Sequence, residues 1–349
     1  MKKVLLGMSG GVDSSVSAIL LKEQGYDVIG ITLELFGGTC CNTDAIVGAK
    51  QICNSIGIPH ITYNLKEEFQ CKVINNFIDE YSNQRTPNPC IECNKYMKFG
   101  AMYEKAKELG CDYIATGHYA KMEYSDEYGK YVLRKAKNLS KDQSYVLYNM
   151  PKQLLGKVLF PLGNFESKED VRKIAKEHNL SVASKPDSED ICFIPDGNYK
   201  KFLEQNSSIV PKEGNIVNRK GEILGRHTGL YNYTIGQRKG LGISYKVPLF
   251  VIGFNKERNE VIVGEQQELY RKEMKVNEVN LLLMDKIERT LDVTVKIRYA
   301  SKPAEAIINQ TEAGNIQVIF KEPQRGITPG QSAVFYIGDV VVGGGKIQD

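Results

Sequence analysis

The sequence has no run of about 18 uninterrupted apolar residues, the length that a membrane-spanning helix needs. It also lacks a strong excess of one charge, since 46 lysines and arginines stand against 42 aspartates and glutamates, a formal net charge of +4. A membrane-spanning chain is therefore not expected, and neither is a nucleic-acid binder of strongly basic composition. A net charge of this size still permits a polyanionic partner.

Length and composition are those of an ordinary folded protein. The chain has 349 residues, of which 42% are hydrophobic and 25% charged, and its mean hydropathy is −0.33. These values exclude a disordered or collagen-like chain. At about 100 to 200 residues per domain, the length allows two or three domains.

Cysteine is absent after Cys192, so every thiol lies in the earlier part of the chain. A secreted disulfide scaffold would be short and would carry a signal peptide. Here the segment 9–13, which contains Ser, Gly and Asp, follows closely after residues 1–6, so no apolar region adequate for a signal peptide develops. The sequence thus predicts a cytoplasmic protein whose cysteines are thiols, metal ligands or redox groups. The eight cysteines are Cys40, Cys41, Cys53, Cys71, Cys90, Cys93, Cys111 and Cys192.

Short apolar strands alternate with helical periods through the first 120 residues. Strands are predicted at residues 2–6, 26–33, 60–63 and 113–116, and helices at residues 14–23, 44–56, 66–81 and 99–109. Such alternation predicts a parallel sheet covered by helices on both faces, and hence an α/β fold.

The amino-acid composition of the chain changes after about residue 205. A helix is predicted to begin at Ser167 and an irregular loop to follow at residues 185–197. Glycine and β-branched residues then dominate, with a hairpin expected at residues 249–264 and alternating runs at 291–299 and 332–342. This pattern predicts a small β-rich domain and a C-terminal barrel or sandwich. The expected domains are residues 1–205, 206–272 and 273–349.

A glycine-rich turn, Gly-Met-Ser-Gly-Gly-Val-Asp-Ser at residues 7–14, joins the first predicted strand to the first predicted helix. Consecutive backbone N–H groups at such a turn, together with the positive end of the helix, can bind a phosphate. The segment contains no lysine, which the mononucleotide-binding loop requires, and it does not match the dinucleotide pattern Gly-x-Gly-x-x-Gly. It predicts a phosphate site of another kind.

The turn resembles the pyrophosphate loop of the N-type ATP pyrophosphatases, which cleave ATP between its α and β phosphates and adenylate a substrate oxygen. Five further segments make the chain similar, nearly end to end, to the bacterial tRNA-specific 2-thiouridylases. The resemblance implies a doubly wound parallel sheet, a small β-rich central domain and a C-terminal β-barrel. The five segments are TPNPCIECNKYMKF at 86–99, ATGHYA at 115–120, KDQSY at 141–145, DICFI at 190–194 and TIGQRKGL at 234–241.

The resemblance also implies an activity, the ATP-dependent conversion of the wobble uridine of tRNA to 2-thiouridine with release of AMP and pyrophosphate. Adenylation would turn the C2 oxygen into a leaving group, and a cysteine persulfide would supply the sulfur. By resemblance Cys93 is the nucleophile and Cys192 carries the persulfide, and the two finish as a transient disulfide. The implied sulfur source is a cysteine desulfurase or a relay protein.

ATP and Mg²⁺ are the implied cofactors. Leu33 and Gly117 follow predicted strands, as the glycine-rich turn does, and ligands of open α/β sheets bind at the carboxyl ends of strands. Asp13 is expected either to hold Mg²⁺ or to cap the first helix. The residues that the resemblance assigns to ATP are Gly7, Met8, Ser9, Gly10, Gly11, Val12, Asp13, Ser14, Leu33 and Gly117.

Two interpretations of Cys90 stay open. It could line the pocket of the target base as a plain thiol, or it could join Cys93 and Cys192 in holding a [4Fe-4S] cluster that binds hydrosulfide. A four-cysteine zinc site is disfavoured because the adjacent pair Cys40 and Cys41 gives poor geometry. No role is assigned to that pair. Core positions are expected for Cys53, Cys71 and Cys111.

The implied partner is the anticodon arm of tRNA, with neither DNA nor a membrane expected. Phosphate contacts would position the RNA, while the target base is splayed out and enclosed. For His118 a structural histidine is the alternative, and for Arg298 and Tyr299 a pair on the barrel surface. Target-base residues are Asn88, Pro89 and Cys90. The implied tRNA contacts are His118, Lys141, Asp142, Gln143, Arg298, Tyr299 and Gln331.

Two rival functions remain at this stage. Another ATP pyrophosphatase, such as a synthetase for a small metabolite, would not need two reactive cysteines. A non-catalytic RNA-binding or cluster-carrying protein would form no AMP in the presence of tRNA. The tRNA dependence of AMP formation therefore separates the three possibilities.

Overall fold

The computed structural model describes residues 1–36, 43–184 and 191–348, and for Thr43 and Asp44 it describes the backbone only. Cys40 and Cys41 lie outside these ranges, as does Asp190 of the Asp-Ile-Cys-Phe-Ile segment. Within the described ranges, no helix is long and apolar enough to cross a bilayer.

The first 206 residues contain strands and helices, which alternate as far as residue 115. The strands are β1 (Lys3–Gly7), β2 (Asp27–Glu34), β3 (His60–Asn64), β4 (Tyr113–Ala115), β5 (Ala120–Ser125), β6 (Lys130–Lys135) and β7 (Val158–Leu159). The α-helices are α1 (Val12–Glu23), α2 (Thr43–Ile56), α3 (Lys66–Phe69), α4 (Asn75–Ser82), α5 (Pro89–Glu92), α6 (Met102–Glu108), α7 (Lys168–Glu177) and α8 (Tyr199–Asn206). The π-helical segments Gln70–Ile74 and Cys93–Ala101 join α3 to α4 and α5 to α6.

Five strands form a parallel sheet in the order β3-β2-β1-β4-β7. In β1, Val4 and Leu6 pack in a cluster with residues of α1 and α7, whereas Leu5 packs in another with residues of α6. Neighbouring residues of a strand point to opposite faces, so a continuous apolar run is buried when helices cover both faces. The predicted α/β fold is confirmed.

The first four predicted strands are confirmed as β1 to β4, but the helix predicted at 99–109 begins earlier, at Pro89. Asn88 is its N-cap and accepts a hydrogen bond on Oδ1 from the Cys90 N–H at 3.2 Å. Proline at the first helical position and asparagine before it are a common helix start. The prediction treated them as a turn, so it missed that Cys93 lies on a helix.

A smaller sheet follows, built from β8 (Gly214–Asn218), β9 (Ile223–His227), β10 (Phe250–Asn255) and β11 (Glu260–Gly264) in the order β10-β11-β8-β9. The hairpin predicted at residues 249–264 is confirmed as the antiparallel pair β10–β11. The core of this smaller sheet contains Ile216, Val251 and Val263.

The last strands form a closed barrel. They are β12 (Tyr270–Leu281), β13 (Leu291–Lys296), β14 (Ala304–Gln310), β15 (Ile316–Arg325), β16 (Ser332–Ile337) and β17 (Val340–Ile347). Because β12 pairs with both β15 and β17, the order β12-β15-β14-β13-β16-β17 closes on itself. The barrel is confirmed, and the sandwich that the residues alone left open is wrong.

The hairpin β5–β6 was not predicted, and it extends the sheet of the barrel. Arg134 of β6 pairs with Val340 of β17, and its Nη1 donates to Asp339 Oδ1 at 2.7 Å. The Lys135 N–H donates to the Asp339 carbonyl at 2.9 Å. Residues before position 205 thus share a sheet with the C-terminal barrel, while the domain boundaries at 205 and 272 stay a prediction.

Candidate active site

The glycine-rich turn runs from the end of β1 to the start of α1. Gly10 has φ +69°, and a Cβ at this position would lie 3.0 Å from the Ala45 carbonyl oxygen. Ser14 Oγ accepts from the Ser9 N–H at 3.2 Å, and Gly11 is the N-cap of α1. The turn therefore places a helix N-terminus at the carboxyl edge of the sheet, where an anion is stabilised.

Asp13 forms an ion pair that the sequence did not predict. Lys168 Nζ lies 2.5 Å from both carboxylate oxygens, and the Tyr119 hydroxyl donates to Oδ1 at 2.8 Å. Since the N-cap of α1 is Gly11 and no side chain caps it, the capping role considered for Asp13 is wrong. Mg²⁺ at this carboxylate would compete with Lys168. The binding of Mg²⁺ by Asp13 stays a prediction. The confirmed N-cap Ser167, directly before Lys168, gives no signal of the pair.

Gly117 lies directly against the glycine-rich turn. A Cβ there would lie 2.9 Å from both the carbonyl carbon of Asp13 and the amide nitrogen of Ser14. Leu33, near the carboxyl end of β2, is half-buried at the same edge of the sheet. Gly117 therefore contacts the glycine-rich turn and Leu33 lies on the same edge of the sheet, while ATP binding by these residues stays a prediction.

Cys93 and Cys192 border one apolar cluster. Its buried members include Phe69, Phe77 and Phe193, and Leu33 also packs against it. Cys192 reaches the cluster from the segment before α8, and Cys93 from the first residue of the π-helical segment. The two thiols proposed for sulfur chemistry thus share surroundings with a residue of the nucleotide edge.

The other described cysteines differ in exposure. Cys53 is buried, as predicted, and burial raises the pKa of its thiol to about 11. Cys111 is half-buried, and burial is the main cause that raises its pKa. Cys71 is exposed. The predicted core position of Cys71 is wrong, because its position on the helix faces solvent.

The cluster alternative finds no support in the arrangement of the thiols. Among the residues that the structure describes, which include Cys90, Cys93 and Cys192, no group of three or more histidine, cysteine or acidic side chains could hold a metal. Cys90 is exposed, while Cys93 and Cys192 are partly covered by the apolar cluster. The [4Fe-4S] site stays a prediction without a supporting observation.

The barrel holds the segment that precedes the target-base residues. Gln331 Nε2 donates to the Thr86 carbonyl at 2.8 Å and to the Pro87 carbonyl at 3.4 Å. The Thr86 N–H donates to the Pro329 carbonyl at 2.9 Å. These bonds fix the chain just before Asn88, so the barrel positions the segment that is predicted to contact the target base.

A buried ion cluster lies beneath this contact. Glu80 is 3% exposed and accepts from Arg85 at 2.7 and 3.0 Å and from Lys346 of β17 at 3.3 Å. A charged carboxylate is costly to bury unless cations pair with it. Removal of either the carboxylate or its cation would leave the other charge buried and uncompensated. Sequence reasoning missed Glu80, since an acidic residue on a helix gives no signal of burial.

Several residues predicted to contact tRNA also have partners within the chain. Asp142 is buried and accepts from the Ala136 N–H at 2.9 Å and from Ser144 Oγ at 2.7 Å. Gln143 Oε1 accepts from the Tyr119 N–H at 2.9 Å. These bonds shape the loop that carries both residues and the half-buried Lys141, and a tRNA contact by any of the three stays a prediction.

Arg298 and His118 have structural partners, whereas Tyr299 is open to solvent. Arg298 Nη2 donates to the carbonyls of Ile235 at 3.1 Å and Gly326 at 2.8 Å, which ties the segment between β9 and β10 to the barrel. His118 is buried with Nδ1 2.7 Å from Thr116 Oγ1, and burial, aided by the Lys98 charge, holds its pKa well below the ordinary value. Tyr299 is 42% exposed. The geometry favours the structural alternative for His118.

We expect Gln331→Ala to loosen the target-base segment. Without the two donated bonds, hydrogen exchange of the backbone amides of Thr86, Asn88 and Cys90 should be about fivefold faster, which corresponds to a loss of about 1 kcal/mol. Gln324→Ala is the matched control, since this side chain also donates to a barrel carbonyl but only locally, to Glu322 at 2.8 Å. Equal exchange in both variants would contradict the positioning role.

Three family models match consecutive parts of the chain. They are described as the tRNA methyl transferase HUP domain at residues 2–196, the tRNA methyl transferase PRC-barrel domain at residues 200–265 and the aminomethyltransferase beta-barrel domain at residues 271–347. Among solved structures, a 4-thiouridine synthetase–RNA complex with bound ATP is 18% identical with a TM-score of 0.39, over 58% of this chain and 50% of that chain. A likeness of that size carries no functional argument.

Relatives named tRNA-specific 2-thiouridylase MnmA are far more similar. The protein from Acetivibrio thermocellus is 49% identical over 99% of both chains. Those from Clostridioides difficile and Halothermothrix orenii are each 48% identical, over 99% and 100% of this chain and 98% and 99% of their own. The similarity spans the parallel sheet, the central sheet and the barrel alike, and the chain belongs to the tRNA-specific 2-thiouridylase MnmA family.

Proposed function

We propose that this chain is an ATP-dependent tRNA sulfurtransferase, which adenylates the C2 oxygen of the wobble uridine and replaces that oxygen with sulfur. One observation carries the proposal: Leu33, at the nucleotide edge of the sheet, packs against the same apolar cluster as Cys93 and Cys192. This shared packing supports ATP chemistry and sulfur chemistry acting on one base. The names of the relatives support tRNA as the substrate.

The first step is adenylation. The C2 oxygen attacks the α phosphorus of ATP, the bond to the β-phosphate oxygen breaks, and pyrophosphate leaves. The N–H groups of the glycine-rich turn and the N-terminus of α1 stabilise the phosphate charge. Lys168 lies beside this turn through its bonds to Asp13, and it neutralises the carboxylate that would otherwise repel the phosphates.

The second step transfers sulfur. The terminal sulfur of a Cys192 persulfide attacks C2, and the C2–O bond breaks as AMP leaves. The Cys93 thiolate then attacks Cys192 Sγ, which releases the sulfur on the base and leaves a Cys93–Cys192 disulfide. A dithiol reductant restores both thiols, and a cysteine desulfurase or relay protein reloads Cys192. Cys90 acts in this proposal as a plain thiol beside the base, and no step uses a metal cluster.

The test measures AMP and 2-thiouridine with purified protein, ATP, Mg²⁺ and a persulfide donor, with and without tRNA. We expect both products only when tRNA is present, in equal amounts, because each adenylated uridine yields one AMP. Formation of AMP without tRNA would favour a small-metabolite synthetase. Absence of AMP with bound tRNA would favour a non-catalytic binding protein, and either result would overturn the proposal.

A further inference from the structure

Two lysines from distant parts of the chain converge on one group of tyrosines. Lys135 ends β6, and its Nζ lies 4.2 Å from the centroid of the Tyr336 ring. Lys296 ends β13, and its Nζ lies 5.7 Å from the ring of Tyr145 and 5.5 Å from that of Tyr299. Tyr336 pairs in register with Thr294, two positions before Lys296, so both amines lie over the same part of the sheet. This group is called the lysine–tyrosine patch below.

The carboxylates nearest to the patch are already engaged. Asp142 accepts from the Ala136 N–H and from Ser144 Oγ, and Asp339 pairs with Arg134 at 2.7 Å. Within the described part of the chain, neither Lys135 nor Lys296 forms an ion pair. Lys135 donates one bond, to the Gly338 carbonyl at 3.2 Å, which leaves further N–H donors on its ammonium group.

The electrostatics of the patch favour an added anion. Burial lowers the pKa of Lys135 and of Lys296 from their ordinary values, Asp142 partly opposes the shift, and the charge of Lys135 lowers the pKa of Lys296 further. Two half-buried ammonium groups repel each other, and a negative group that lies between them stabilises both positive charges. The bonds that Asp142 accepts come from neutral groups, so its charge acts on both lysines. One carboxylate for two ammonium groups leaves the patch with an excess of positive charge.

The patch lies beside the target-base segment. Tyr299 is 42% exposed, and its ring centroid lies 6.0 Å from that of Tyr145. Asn94 Nδ2 donates to the carbonyl of Val146, the residue after Tyr145, at 2.9 Å, which ties the helix that begins at Pro89 to this part of the patch. Tyr145 and Tyr336 are buried, so Tyr299 is the ring of the patch that a base can reach. An exposed aromatic ring next to cations is the combination that binds a stacked base and its phosphate in single-stranded RNA. A free inorganic anion would make no use of the rings.

We propose that Lys135 and Lys296 bind a phosphodiester group of the tRNA next to the flipped uridine, while the Tyr299 ring faces an adjacent nucleotide. The inference rests on the proposed function for the identity of the RNA. It adds two residues that the sequence motifs did not include, one of them from the hairpin that joins the barrel sheet.

The test is the salt dependence of tRNA binding, measured by fluorescence anisotropy without ATP or a sulfur donor. For Lys135→Ala combined with Lys296→Ala, we expect the slope of log affinity against log salt concentration to fall by about 1, as for the loss of one phosphate contact. Lys135→Arg with Lys296→Arg should keep the slope, which separates lost charge from misfolding. The control is Lys137→Ala, an exposed lysine just after β6 that pairs with Glu166 at 2.7 Å.

A wild-type slope in the double alanine variant, with normal circular dichroism, would overturn the inference. Inorganic phosphate forms the second arm of the experiment, monitored through the NMR signals of the lysine side chains. Phosphate binding at the patch combined with an unchanged tRNA slope would assign it to a free anion and would also overturn the inference.

The two proposals can fail separately. A wild type that binds tRNA but forms no 2-thiouridine would overturn the proposed function, while a reduced slope in the double variant would still support the phosphate site. A wild type that thiolates tRNA, with an unchanged slope in the double variant, would support the proposed function and overturn the phosphate site. A wild type that does not bind tRNA would overturn both.

Discussion

Replacement of Cys93 by serine is expected to lower 2-thiouridine formation by about 10³-fold or more, since a hydroxyl is a far weaker nucleophile than a thiolate and cannot form the disulfide. ATP–pyrophosphate exchange with bound tRNA should continue, because adenylation precedes the sulfur step. Cys192→Ser should have the same effect, and the double variant should be no worse than either single one, because the two thiols act in one step. Nucleoside analysis of tRNA after single turnovers measures the loss.

Cys71→Ser is the matched control for these variants. Cys71 is an exposed cysteine on the π-helical segment Gln70–Ile74, and it has no role in the proposed chemistry. Its replacement should leave thiolation unchanged. Thiolation at the wild-type rate by Cys93→Ser would remove this residue from the mechanism, and loss of pyrophosphate exchange in the same variant would mean that it acts before the sulfur step.

Replacement of Gly117 by alanine is expected to slow ATP–pyrophosphate exchange by about 10²-fold, the effect of displacing a reacting group by about 1 Å. The added Cβ would lie 2.9 Å from backbone atoms of Asp13 and Ser14. These backbone atoms cannot rotate away from the new Cβ as a flexible side chain can, so the start of α1 must shift. The N–H groups proposed to bind phosphate would shift with it. Exchange of labelled pyrophosphate into ATP, in the presence of tRNA, measures the effect.

Gly48→Ala in α2 provides the comparison, because a Cβ there meets no atom within 4 Å. This variant should exchange pyrophosphate at the wild-type rate. If Gly117→Ala did the same, the close approach of Gly117 to the turn would have no part in ATP binding. Equal loss in both variants would indicate a general sensitivity to added methyl groups.

Much of the fold follows from local patterns. The apolar run of β1, the glycine-rich turn and the Ser167 cap each depend on a few neighbouring residues, and each is found where the sequence predicts it. The start of the helix at Pro89 shows how a local signal can be misread. Asn88 and Pro89 suit a turn as well as a helix N-terminus, and only the packing of the following residues selects the helix.

The candidate site depended more on distant contacts. The motifs identified Cys93, Cys192 and the glycine-rich turn, but they gave no sign of Lys168 on Asp13. Nor did they predict that Gln331 and Arg298 bond to other segments of the chain. A polar residue on a strand or helix has the same local pattern whether it faces solvent, RNA or another segment.

The sequence by itself determined the alternation of strands and helices up to residue 116, with the glycine-rich turn between the first strand and the first helix, because side-chain periodicity and glycine backbone freedom act over a few residues. Tertiary structure alone decided which of these residues meet. The bond from Gln331 to Thr86 spans 245 positions and that from Lys168 to Asp13 spans 155. Such pairs form only when the barrel closes and the sheet is assembled, because only packing brings atoms so far apart in the chain within bonding distance.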